Sequence, residues 1–166
     1  MKTLVTLMIV LFSMTLTAQD DVYGPIEKKS DAKNSPIGPK KTWKIVVKND
    51  LSADENFNLV GRTLIENDYL IENKDKDFYT IKTTPSATDG NKAIIHFLYF
   101  VIKDKSIVVT GKSLVDVSFA ISGVRRDDAF DKISNIGMKG SPARITYFAM
   151  HSFALKLGSD IEYIND

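Results

Sequence analysis

Ala93-Ile94-Ile95-His96-Phe97-Leu98-Tyr99-Phe100-Val101-Ile102, then Lys103-Asp104-Lys105, then Ser106-Ile107-Val108-Val109-Thr110, reads as two antiparallel strands joined by a tight connection. The first run is rich in β-branched and aromatic residues, which suit a pleated, packed surface. Ile94, His96, Leu98, Phe100 and Ile102 share one face of it. Ala93, Ile95, Phe97, Tyr99 and Val101 share the other. Both faces are apolar, whereas a sheet covered on one side alternates apolar with polar residues.

Upstream, Trp43, Ile45 and Val47 alternate with Lys44, Val46 and Lys48 and predict a first strand, broken at Asn49-Asp50. Ser52-Ala53-Asp54-Glu55 has the form of a capping box. The helix it opens carries Phe57, Val60, Gly61, Leu64 and Ile65 on one face, with Gly61 permitting close packing against a sheet. Asn67-Asp68 ends it. Tyr69-Leu70-Ile71 leads through the charged Asn73 to Asp77 into Phe78 to Thr84, and Pro85 stops that strand. The charged middle is a bend in one long strand or a hairpin turn, and the bend is the reading taken. Ser86 to Asn91, with Asp89-Gly90, is a turn.

Downstream, Val115, Val117 and Phe119 alternate as in a further edge strand, and Gly123 to Asp128 is a polar loop. Phe130, Ile133, Ile136 and Met138 suit a short amphipathic turn or helix. Ser141-Pro142 supplies a cap and a first-turn proline for a helix over Ala143 to Leu157, which Gly158 closes. Ile161 to Ile164 adds a short final strand. The order β-α-β-β-β-α predicts the α+β class: an antiparallel sheet with two helices packed on one face.

Leu64-Ile65-Glu66-Asn67-Asp68-Tyr69-Leu70-Ile71, followed by Asp75-Lys76-Asp77-Phe78-Tyr79-Thr80-Ile81, resembles the helix-to-strand segment of helix-grip domains such as those of the BamC lipoprotein. It is also similar to the TATA-binding-protein-like (TBP-like) domains of exported bacterial proteins of unknown function. Asn135 to Ser141 and the closing helix resemble the second half of the latter group. The resemblance implies that fold and an interaction-type, non-enzymatic domain. The lipid-bearing cysteine of BamC is missing, because the chain has no cysteine.

The N-terminus reads as a secretory signal peptide over residues 1–19. Lys2 precedes an apolar run from Leu4 to about Leu16, and Thr17-Ala18-Gln19 offers small residues for cleavage. The run is roughly 13 residues, short of the ~20 that a bilayer span needs. Residues 20–41 hold Pro25, Pro36, Pro39, Gly24 and Gly38 among scattered charges and read as a flexible linker. Residues 42–166 form a single folded domain. Export to the periplasm or beyond is expected, soluble and without a lipid anchor.

Lys2 is the only charge in the leader, so without it the 22 basic residues fall level with the 21 acidic ones. Nucleic-acid binding calls for a basic excess or stripe, so none is expected. The absence of cysteine excludes disulfides, thiol catalysis and thiolate metal sites. The two histidines, His96 and His151, sit in apolar elements and read as packed core residues. No Gly-x-Ser-x-Gly turn marks a nucleophile. Asp75-Lys76-Asp77 lacks the further ligands of a calcium loop. Gly137-Met138-Lys139-Gly140-Ser141 reads as a loop closing onto a helix cap rather than a phosphate cradle. No catalytic residue, cofactor or metal is therefore assigned.

The last helix is apolar on two sides: Ile145, Phe148 and Ala149 on one, Tyr147, Met150, Ala154 and Leu157 on another, with Phe153 nearby. Such a helix is buried on more than one side. Leu98, Tyr99, Phe100, Tyr147, Met150 and Phe153 are the candidate interaction surface, for a protein partner or self-association. The expected function is an exported, non-catalytic binding domain. The alternative is a small hydrolase or ligand-binding protein with a pocket under residues 112–139.

Overall fold

A computed structural model describes residues 37–88, 91–115 and 130–165. The expected signal peptide, most of the expected linker, Asp89-Gly90, and the expected strand and loop between Asp116 and Asp128 lie outside the described residues. The elements are β1 (Thr42–Lys48), α1 (Ala53–Glu66), β2 (Ile71–Asp75), β3 (Thr80–Thr83), β4 (Ser86–Thr88), β5 (Asn91–Lys103), β6 (Ser106–Val115), β7 (Asp131–Lys132), α2 (Pro142–Leu157) and β8 (Asp160–Asn165). Six strands run in the order β2-β3-β5-β6-β1-β8, with β4 paired to β5 and β7 to β6, and every pairing is antiparallel. The expected α+β class is observed.

The spine is the β5–β6 hairpin. Ten residue pairs run from Ile94↔Val115 to Lys103↔Ser106. The face carrying Ile94, Leu98, Phe100 and Ile102 is buried, together with Ile107 and Val109 of β6. Ile45 and Val47 of β1 and Ile81 of β3 extend it. Both helices cover this inner face: α1 with Phe57, Val60 and Leu64, α2 with Tyr147, Met150, Phe153, Ala154 and Leu157. Fully burying a large apolar side chain contributes about 1.5–3 kcal/mol, so these residues are the main source of stability.

Local chemistry sets the element ends. Ser52 and Glu55 form the reciprocal capping box at the start of α1. Ser141 caps α2, accepting from the amide of Arg144, and Pro142 opens it. Gly61 is buried, and the atom that approaches it is Lys74 Nζ of β2.

Ser86 to Thr88, expected within a turn, form strand β4 instead, and three further features differ from the sequence expectation. The segment 71–83 is a hairpin, not one bent strand. The Asp75 carboxylate accepts from the amides of Asp77 and Phe78, both at 3.0 Å, and Tyr79 takes a positive φ of 50°. An aspartate bonding to the backbone two residues on substitutes for a turn. Next, a bulge in β1 between Thr42 and Lys44 breaks the alternation. Thr42 is buried with Ile45 and Val47, and Trp43 turns to the outer face beside Lys44. Third, residues 130–138 form no helix. Asp131 and Lys132 pair with β6, Ile133 is buried, and Ile136 and Met138 point to solvent. Gly111 makes this possible, since a Cβ there would lie 2.8 Å from Ile133 Cδ1.

Residues 37–41, at the end of the expected linker, are packed. Ile37 is buried, and the Asn135 carboxamide donates to Gly38 O (2.9 Å) and Pro39 O (2.8 Å). The Asn135 backbone bonds to Lys41 and Thr42 as well.

Candidate functional site

A cleft of about 560 Å³ opens between the end of α1, β4, His96 of β5 and one side of α2. Spacings of three and four along a helix share a side, and Ile145, Phe148, Ala149 and Ser152 present that side to the cleft. The floor is aromatic. Tyr69 sets its ring edge-on to Phe153 at 5.3 Å and to His96 at 6.1 Å. Its hydroxyl lies 3.5 Å from His96 Nε2. Tyr69 is placed by the end of α1, where Asp68 takes a positive φ of 60° and the Tyr69 amide donates to Leu64 O. Glu66, Asp68, Ser86 and Lys156 give the rim its polar groups, and Lys156 also donates to Asn67.

The two histidines lie in separate clusters. His96 faces Ser86 across the β4–β5 pair and contacts Tyr69. His151 is buried on α2, where Nε2 lies 2.8 Å from the Tyr163 hydroxyl of β8 and the imidazole lies near-parallel to the rings of Tyr147 and Tyr163. Burial disfavours the charged imidazolium and pushes the His151 pKa down to about 4. Burial likewise pushes the phenol of Tyr147 up. Among the described residues no group of three or more histidine, aspartate or glutamate side chains could hold a metal ion.

The structure corrects the candidate surface read from the sequence. Leu98, Phe100, Tyr147 and Met150 are 0% exposed and Phe153 is 2% exposed, so all five are core. Tyr99 is 37% exposed and is the one member of the set at the surface. The reason is geometric: Leu98 and Phe100 lie on the inner face of β5, and the Tyr147–Leu157 side of α2 packs onto them. The side of α2 that stays half-exposed is the other apolar one, Ile145, Phe148 and Ala149. Its periodicity is visible in the sequence, but its meeting with Tyr69 and Ser86 is not.

The remaining candidates are structural. Asp75 holds the β2–β3 turn. Ser141 holds the α2 cap, and Gly137 packs against it. Arg125 to Asp128 lies outside the described residues. Among the described residues of 112–139 none lines the cleft. A shallower depression of about 600 Å³ lies at the far end of the sheet, among the solvated turn residues Asn49, Asp50, Asp104 and Lys105. Among the described residues no helix is long and apolar enough to cross a membrane.

The sequence matches no family model and no curated protein. Among solved structures, the chain is similar to a TBP-like protein from Parabacteroides distasonis, with a TM-score of 0.44 and 13% identity. The match covers 71% of this chain and 90% of that one. At that distance no residue of this chain takes a role from it.

Proposed function

We propose that the chain is an exported, non-catalytic binding domain that holds its ligand in the cleft along the last helix. The observation that carries this reading is the lining of the cleft. Half-buried Phe148, Ile145 and Ala149 face Tyr69 across it, with hydroxyls of Ser86 and Ser152 and the Lys156 ammonium around them. An apolar lining with a few placed polar groups is the usual make-up of a small-molecule site. It fits one compact ligand, or one side chain of a partner, that has an apolar body and hydrogen-bonding substituents. The signal-peptide pattern of residues 1–19 supports export, and the resemblance to TBP-like exported domains accords with it.

One observation favours a second reading, a hydrolase. The cleft brings His96 together with Ser86, Ser152, Glu66 and Asp68. Serine activation requires a hydroxyl within about 2.6–3.2 Å of the imidazole. The hydroxyl set against His96 Nε2 belongs to Tyr69 instead. A phenol at that nitrogen orients the ring and activates no serine, so binding is the stronger reading.

The test is to fill the cleft. Ala149→Trp should abolish retention of a defined envelope component, such as a peptidoglycan fragment or a phospholipid, that the wild type retains. Its circular dichroism should be unchanged. Turnover of short p-nitrophenyl esters that disappears in His96→Gln and Ser86→Ala would overturn the binding reading in favour of the hydrolase.

A further inference from the structure

Among the described residues the sheet ends on β2 at one edge and β8 at the other. An edge strand presents a row of backbone N–H and C=O groups without ladder partners. Folded proteins guard such edges with bulges and with charges that point inward. β2 carries both guards. It has a bulge between Ile71 and Asn73. Its Lys74 points to the inner face, opposite buried Ile81, with the ammonium 4.8 Å from the centre of the Phe57 ring.

β8 carries neither. Its pairing to β1 is regular from Ile164↔Lys44 to Asp160↔Lys48, and the bulge beyond Ile164 lies on β1. Its inward side chains include Ile161 and Tyr163, half-buried and packed against the core. Glu162, on the outer face, is neutralised by Lys48 at 2.8 Å. The apolar inner face of the sheet thus runs out to an edge that no inward charge closes.

We propose that β8 is the contact strand of a symmetric dimer, pairing antiparallel with β8 of a second copy so that the two sheets join edge to edge. Two-fold pairing sets a strand against itself, and the charge pattern selects the register. Centred on Glu162, the pair would place that carboxylate opposite its own copy, an unfavourable like-charge contact. Centred on Tyr163, it places Tyr163 opposite its copy, Ile161 opposite Asn165 and Glu162 opposite Ile164. No carboxylate of residues 161–165 then faces another, and the inner faces of the two copies become continuous. A strand of another sequence would have to bring this same alternation, which a second copy has built in. One strand pair buries less than the roughly 1,600 Å² of a standard interface, so the dimer is weak and forms at high concentration. No residue of β8 lines the cleft, so the dimer goes beyond the function proposed above and stands or fails separately from it.

The chain has no cysteine, so an introduced one reports its own neighbours alone. Sedimentation velocity of the full chain from micromolar to millimolar concentration should show a reversible monomer–dimer equilibrium. Ile164→Lys, which adds an edge guard, should weaken it roughly tenfold or more, with circular dichroism unchanged. Glu162→Cys and Ile164→Cys chains, mixed and oxidised, should give a mixed dimer linked from 162 to 164 in clear excess over either chain alone. That cross-link decides the matter even where Ile164→Lys does not fold. Glu72→Cys, on the guarded edge, should give no such excess. A monomer at millimolar concentration, no excess of the mixed dimer, equal linking through Glu72→Cys, or undiminished association in folded Ile164→Lys would overturn the proposal. So would a chain that stays monomeric and pairs only with an unrelated extended peptide.

Discussion

His151 of α2 and Tyr163 of β8 are joined by a 2.8 Å contact between Nε2 and the phenol oxygen, with their rings 17° apart. Tyr147 also packs its ring against the imidazole, with centroids 6.2 Å apart. The pair ties the last helix to the edge strand of the sheet, and it works with a neutral imidazole.

Stability should therefore fall in mild acid. Burial lowers the His151 pKa from 6.5 to about 4. The unfolded chain takes up a proton near pH 6.5 that the folded chain refuses until about pH 4. The contribution is complete above pH 6.5, declines as pH falls through that window, and is gone below about 4. Its size is about 3 kcal/mol. Urea unfolding at pH 7 and pH 4.5 measures it, and His151→Gln should flatten the slope between them. Asp54 and Glu55 have lowered carboxyl pKa values, through bonds to Lys76 and Ser52 respectively. Their contributions are lost at lower pH, as the carboxylates protonate.

Asn135 should behave as a staple. Its carboxamide donates to Gly38 O and Pro39 O and accepts from Arg144, and the residue is 1% exposed. Asn135→Ala leaves buried groups without partners, at about 1–3 kcal/mol. Trypsin should then cut at Lys40 and Lys41 faster than in the wild type, because the segment 37–41 is released.

Two neighbours on β5 should separate core from surface. Leu98 is 0% exposed and Tyr99 is 37% exposed. Leu98→Ala should cost about 2–5 kcal/mol, and Tyr99→Ala under about 1 kcal/mol, by chemical denaturation. Similar costs would contradict the assignment of faces.

The capping box gives a local check. Ser52 accepts from the amide of Glu55, and the Glu55 carboxylate accepts from the amide of Ser52. Ser52→Ala should lower stability by about 1 kcal/mol. Little or no change would mean that the cap is solvated rather than closed.

The hairpin Ala93–Thr110, the helix after Ser52 and the helix after Ser141 were legible, because period and cap chemistry are local signals. The β1 bulge was not: it depends on how Thr42 and Asn165 meet across two strands. The β2–β3 turn was missed because Asp75 reads as one charge among several until its backbone bonds are seen. For the site, the two apolar sides of α2 were visible, but periodicity does not say which one meets the sheet. The larger, more apolar side is buried, which leaves Ile145, Phe148 and Ala149 to form a cleft wall. Tyr69, Ser86 and His96 join them only through the fold.

The most direct test of a binding cleft on the last helix is chemical-shift mapping of the full chain. The probes are small cyclic alcohols and amides with an apolar body. Shifts should gather on Tyr69, His96, Ile145, Phe148, Ala149 and Ser152 and vanish in Ala149→Trp. Shifts scattered over the surface, or unchanged in Ala149→Trp, would contradict the account.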